Sequence, residues 1–182
     1  MKVLLVVDAQ HDFIDGCLGT PEAQAAIPHI NDKVIKALEE GTAVIFTRDT
    51  HFKDSYMTSN EGKHLPVEHC IYQTHGWSVH EGVDVIGAPH INKPRFGKTD
   101  IGLDIYSYVK QIDENAEVNE IEICGFCTDI CVISNALIIK GTKEIEDANV
   151  IVDAKACAGV TPETHEAALR VMEMCQIEVR RD

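Results

Sequence analysis

The sequence predicts an α/β fold, a single three-layer domain over residues 1–182 with a mostly parallel β-sheet and helices on both faces. Three observations carry that prediction. The strand-like runs are short, apolar and rich in β-branched residues without strict alternation, the pattern of strands buried on both faces. Segments of helical periodicity separate them, which is the order of βαβ units. The 182 residues, 45% apolar and 25% charged, suit one compact core.

Lys2 to Val7 (KVLLVV) is the first such run and stops at Asp8. From Pro21 to Glu40, Ile27, Ile30, Val34, Ile35 and Leu38 recur at helical spacing, and Gly41 follows at a capping position. Thr42 to Thr47 (TAVIFT) forms a second strand before Arg48-Asp49. Thr50 to Ile91 shows little periodicity and holds His51, His64, His69, His75, His80 and His90. An irregular segment of that length in a compact domain is usually functional. A short strand is expected near His90 to Asn92 and a helix at about Ile101 to Ile112. A strand at Glu120 to Cys124 and a helix from Thr128 to Lys140, closed by Gly141, follow. Asn149 to Ala154 (NVIVDA) is a further strand. Thr161-Pro162-Glu163-Thr164 opens the last helix with a capping Thr and Pro at the first position. Ile177 to Val179 ends the sheet. The chain contains no internal repeat, linker or low-complexity stretch.

Sixteen Lys and Arg against 30 Asp and Glu give a formal net charge of −14 at pH 7. That balance repels phosphate backbones and anionic lipid heads, so neither nucleic acid nor a membrane is an expected partner. No apolar run approaches the roughly 20 residues of a spanning helix. The opening MKVLLVVDAQHDF turns acidic too early for a signal peptide, and a cytoplasmic location is expected. Seven cysteines at irregular positions suit free thiols in a reducing compartment better than a disulfide framework.

Ligands of open α/β sheets bind beyond the carboxyl ends of the strands, and the polar residues gather there. Asp8 follows the first strand, Asp49 the second, Lys93 the weak one, and Cys127 to Cys131 the strand ending at Cys124. Taken alone, Asp8 reads equally as a structural aspartate. Gly125-Phe126-Cys127-Thr128-Asp129-Ile130-Cys131-Val132 is a strand-to-helix turn in which Thr128 or Asp129 caps the helix. Cys131 then lies in the first turn, where the helix dipole and backbone N–H groups favour a thiolate. Read by itself, Cys131 is equally a small buried hydrophobe. Cys124, Cys157 and Cys175 lie in apolar patterns and are expected in the core. Asp49 and His51, two residues apart, project to one side if extended. With His69 from the same loop they offer one carboxylate and two imidazoles, a set suited to Zn²⁺, Fe²⁺ or Mn²⁺, with Glu61 and His64 as reserve ligands. A solvated histidine-rich loop is the competing reading.

Together these segments resemble the isochorismatase-like cysteine hydrolases, and within them the nicotinamidase branch. The landmarks are VVDAQHDF, TRDTH, LPVEHC, INKPRFG, GFCTDICV and VTPETHEAAL, in the family's order along nearly the whole chain. The resemblance implies an isochorismatase-like hydrolase fold with Asp8, Lys93 and Cys131 as catalytic triad. It further implies an oxyanion hole from the backbone N–H groups of Cys127 and Cys131, and a non-proline cis peptide at Phe126–Cys127. Asp49, His51 and His69 match the metal ligands, with Glu61 favoured over His64 for the fourth place and Zn²⁺ as the expected ion. The implied reaction is hydrolysis of nicotinamide, or a close small carboxamide, to the acid and ammonia through a Cys131 thioester. It would serve NAD salvage in a homo-oligomer. A carbamoyl-compound amidohydrolase and a catalytically silent binding protein are the alternatives. Lys93 and the helix terminus are expected to lower the Cys131 pKa. One departure concerns the pocket: many nicotinamidases carry Trp-Pro before the metal histidine, whereas this chain has Leu65-Pro66. Phe13 and Leu65 are then the expected substrate-binding residues.

Overall fold

The computed structural model describes residues 1–83 and 87–181. Six strands form one sheet: β1 (Lys2–Val7), β2 (Ala43–Asp49), β3 (His90–Lys93), β4 (Glu120–Phe126), β5 (Asn149–Ala158) and β6 (Glu178–Arg180). Their order is β3-β2-β1-β4-β5-β6, and every pairing is parallel. β1 lies at the centre, flanked by β2 and β4, and all of its residues after Lys2 are buried. A strand covered on both faces has no solvent side to encode, which explains the unbroken apolar run.

Helix α1 (His11–Ile14) follows β1, and α2 (Pro21–Glu39) crosses back over the sheet to β2. Thr20 caps α2 by accepting from the Ala23 N–H at 3.0 Å, and Pro21 opens its first turn. The buried face of α2 is Ala23, Ala26, Ile30, Val34 and Ala37. Ile35 and Leu38, expected inside, are about half exposed, at 47% and 52%. The small alanines turn this face inward because they let the helix lie close to the sheet. The loop after β2 is less irregular than expected, since α3 (Lys53–Tyr56) and α4 (Asn60–His64) stand within it. Residues 84–86 of the same loop lie outside the described residues.

Helix α5 (Ile101–Ile112) leads into β4, α6 (Ile133–Lys140) connects β4 to β5, and α7 (Pro162–Met174) connects β5 to β6. With right-handed crossovers, α2 covers one face while α5, α6 and α7, packed side by side, cover the other. Thr161 and Thr164 form a reciprocal capping box on α7, each hydroxyl accepting from the other's N–H at 3.1 Å. Cys175, expected in the core, is exposed just past α7, whereas Cys124 and Cys157 are buried. β5 runs four residues beyond Ala154, and β2 and β4 extend to Asp49 and Phe126. Among the described residues no helix is long and apolar enough to cross a membrane.

The direction of winding reverses between β1 and β4, so the sheet opens a crevice beyond their carboxyl ends. Gly125, near the end of β4, has φ +115°, and a Cβ there would lie 2.0 Å from the Val7 carbonyl oxygen. Only glycine lets the two central strands meet this closely before their ends diverge.

Candidate active site and metal centre

The four strand ends deliver their polar residues to that crevice. Asp8 follows β1 in a left-handed conformation, φ 47°, which Asp tolerates better than most residues. Thr47 on β2 fixes it: the Asp8 N–H donates to the Thr47 carbonyl, and the Thr47 hydroxyl donates to Asp8 Oδ1 at 2.7 Å. Lys93 ends β3 and is fully buried. Its Nζ lies 2.6 Å from Asp8 Oδ2, 3.3 Å from Cys131 Sγ and 3.1 Å from the Arg95 carbonyl oxygen. Burial opposes the ammonium charge, but the Asp8, Cys131 and Asp49 groups around it hold the Lys93 pKa well above its ordinary value.

Cys131 is carried by a π-helical turn, Thr128–Val132, that precedes α6. The Ile130 and Val132 N–H groups both donate to the Cys127 carbonyl at 3.1 Å. Neither expected cap forms. Asp129 accepts from the Val160 N–H, and the Thr128 hydroxyl pairs with His165 Nδ1 at 2.8 Å. The expected low thiol pKa is also overturned. Burial pushes Cys131 well above the ordinary thiol range, and the Asp8 and Asp49 carboxylates add to the rise. Lys93, 3.3 Å from the sulfur, pulls the other way without overcoming burial. Asp8 is itself pushed up, by burial first, against the pull of Lys93. The peptide between Phe126 and Cys127 is cis. The Cys127 thiol is pushed up to about 12 by burial, with Asp129 adding to it.

Beside Asp8, Lys93 and Cys131, the residues Asp49, His51, Glu61 and His69 each present a ligand atom, all within 4.8 Å of one another. His51 Nε2 lies 2.9 Å from Asp49 Oδ2 and 3.5 Å from Glu61 Oε1, and His69 Nε2 lies 3.5 and 3.6 Å from the same carboxylates. His69 Nδ1 donates to the Val67 carbonyl at 2.9 Å, which turns Nε2 toward the group. Burial opposes charge on His51, yet Asp49 and Glu61 raise its pKa to about 9. Asp49 Oδ1, buried, faces the Lys93 ammonium at 3.6 Å, which leaves Oδ2 toward the imidazoles. Two carboxylates and two imidazoles gathered this closely fit a divalent transition metal. His64 stands outside the group, exposed, its Nδ1 bonded to the Asn60 carbonyl at 2.8 Å.

A cavity of about 940 Å³ opens over both groups. Phe13 and Leu65 line it, as do Phe96, Ile130, Ile138 and Val160. The Phe13 ring meets that of His69 edge-on, centroids 5.6 Å apart, and Leu65 stands at 36% exposure. Sequence reasoning did not single out Thr47, Gln10, Tyr56 or Asn135. Tyr56 donates to the Leu65 carbonyl at 2.8 Å beside His69. Asn135 ties the Cys131 and Phe96 carbonyls and the Lys98 N–H together. Gln10 lay within the VVDAQHDF landmark, where its amide was a visible signal.

The isochorismatase domain model matches residues 2–181. The chain is 27% identical over 201 residues to the nicotinamidase/pyrazinamidase of Mycobacterium tuberculosis, covering 98% of each. The crystal structure of Pyrococcus horikoshii pyrazinamidase in complex with zinc is 26% identical with a TM-score of 0.77, covering 100% of this chain and 99% of that one. N-carbamoylsarcosine amidase from Thermoplasma acidophilum shares the fold at 22% identity and a TM-score of 0.73, covering 99% and 95%.

Proposed function

Because the chain belongs to the isochorismatase family, we propose that it is a metal-assisted cysteine amidohydrolase converting nicotinamide, or a close small carboxamide, to the acid and ammonia. The observation that carries this reading is Lys93 Nζ between Asp8 Oδ2 and Cys131 Sγ, at 2.6 and 3.3 Å, in a buried site that adjoins the metal group.

In this reading Asp8 takes the proton from the Cys131 thiol as sulfur attacks the carbonyl carbon. Lys93 offsets the charge that moves between carboxylate and sulfur. Burial raises both the thiol and the Asp8 carboxyl, so the proton passes between two groups shifted in the same direction. The backbone N–H groups of Cys127 and Cys131 receive the oxyanion, a contribution on the order of 3 kcal/mol per donor. Asp8 returns the proton to the departing nitrogen, ammonia leaves, and a thioester remains on Cys131. Asp8 then draws a proton from water as water attacks the thioester, and returns it to the Cys131 sulfur as the C–S bond breaks and the acid leaves. Phe13 packs against the ring of the substrate. A divalent ion held by Asp49, His51, Glu61 and His69, most simply Zn²⁺, supplies when bound a Lewis acid for a ring nitrogen, directly or through water.

The 27% identity to a nicotinamidase/pyrazinamidase supports a heteroaromatic amide. The four-residue metal group favours that substrate over a carbamoyl compound, which has no ring nitrogen to hold. Ammonia release from nicotinamide, pyrazinamide and N-carbamoyl amino acids, measured with Zn²⁺-loaded protein, tests the reading. Turnover of the two heteroaromatic amides is expected, and turnover of the carbamoyl compounds alone overturns it.

A further inference from the structure

Outside the cleft, three imidazoles and two carboxylates converge where the chain leaves β1. His11 Nδ1 lies 2.9 Å from Asp15 Oδ1, and His11 Nε2 lies 2.9 Å from Glu81 Oε2. The His75 and His80 rings pack against His11, with centroids 3.9 and 4.8 Å away. His11, Asp15 and His80 each present a ligand atom, all within 4.8 Å of one another. Main-chain bonds build this cluster. The His11 N–H donates to the Ser78 carbonyl, the Asp12 N–H to Gly76 and the His80 N–H to Ala9, at 3.1, 3.1 and 2.8 Å. An antiparallel bridge also joins Gln10 to Val79. Ligands from α1 and from the 75–81 loop are thus held in register before any ion binds.

We propose that His11, Asp15 and His80 form a second divalent transition-metal site, separate from the Asp49 group. Ligation through His11 Nδ1 leaves its Nε2–H facing Glu81, so a carboxylate holds the metal-bound imidazole in its tautomer and orientation. The two carboxylates supply two negative charges to balance a bound dication. Mixed imidazole and carboxylate donors favour Zn²⁺, Co²⁺ or Ni²⁺ over Mg²⁺ or Ca²⁺. His80 Nδ1 accepts from the Gly82 N–H at 3.1 Å, so ligation through Nε2 moves the ring proton to Nδ1 and gives up that one hydrogen bond. Three protein ligands leave at least one position for water. The ion would staple the loop to α1, the helix that carries Phe13 into the cavity wall.

The test counts ions on tag-free full-length protein, stripped with chelator, dialysed against Zn²⁺ and analysed by plasma mass spectrometry. The wild type is expected to hold two ions per chain. Asp15→Asn, at an exposed position, and His80→Ala should each hold one. His51→Ala, which disables the Asp49 group, should keep one ion and lose it when Asp15→Asn is added. An ion-free His51→Ala protein overturns the proposal, and so does one that keeps its ion with both Asp15→Asn and His80→Ala present. Co²⁺ absorption on the same variants gives a second reading independent of turnover.

Discussion

Gln10 grips the backbone of Asp49 from both sides: its Oε1 accepts from the Asp49 N–H at 2.7 Å, and its Nε2 donates to the Asp49 carbonyl at 2.9 Å. The same amide reaches the Trp77 carbonyl at 2.8 Å. One side chain after β1 thereby fixes a metal-ligand candidate at the end of β2 and anchors the loop beyond it.

Replacing Gln10 by Ala removes this partner from three backbone groups, the Asp49 N–H and carbonyl and the Trp77 carbonyl. At about 1 to 3 kcal/mol each, urea unfolding should show a loss of roughly 3 kcal/mol. Zn²⁺ affinity at the Asp49 group should fall about 10- to 100-fold, as for other residues that orient ligands. An unchanged midpoint together with unchanged competition against a chelating dye would refute the positioning role.

Gly125 and Gly41 both have positive φ, +115° and +68°, but a Cβ at Gly41 meets nothing within 4 Å while one at Gly125 meets the Val7 carbonyl at 2.0 Å. Gly41→Ala should cost about 1 kcal/mol. Gly125→Ala should cost more than about 3 kcal/mol or prevent folding, because β1 and β4 must separate. Thermal melts of the two variants check this, and equal losses would contradict it.

The central strands were legible because full burial leaves an unbroken apolar run, as in Lys2 to Val7. The buried face of α2 was not, since alanines at Ala23, Ala26 and Ala37 carry little apolar signal and the larger Ile35 and Leu38 drew the reading outward. Short helices inside the long loop escaped because helices of four or five residues show no periodicity. The chemistry-bearing residues stood out by type at strand ends. Their electrostatics did not, because the pKa of Cys131 depends on burial and on the Asp8–Lys93 pairing, which no spacing reveals. Gln10 and Thr47 act through hydrogen bonds between strand ends far apart in sequence, and only the sheet order brings them together.

Glu61 and His64 differ by three residues, but only Glu61 reaches the imidazoles of His51 and His69, at 3.5 and 3.6 Å. Glu61→Gln should weaken Zn²⁺ binding at this group by at least about tenfold and reduce amide turnover. His64→Ala should change affinity little. Chelator competition on both variants measures the difference, and the reverse order would move the fourth ligand to His64.

With burial and Asp8 holding the proton on sulfur, Cys131 should be alkylated slowly by iodoacetamide at pH 7, with a rate that climbs as pH rises. Asp8→Asn removes a negative charge beside the thiol, so the thiolate forms at lower pH and alkylation speeds up while turnover falls by orders of magnitude. Lys93→Met removes the positive charge and should slow both. Mass-spectrometric alkylation profiles against pH read this, and unshifted curves in both variants would mean that neither residue is coupled to the thiol.

The most direct measurement of the account is acid-quenched mass spectrometry of Zn²⁺-loaded protein during nicotinamide turnover. The account predicts a nicotinoyl adduct on the peptide containing Cys131, present in wild type and in Cys127→Ala and missing from Cys131→Ala, which releases no ammonia. Ammonia release by Cys131→Ala, or an adduct on any other residue, would contradict it.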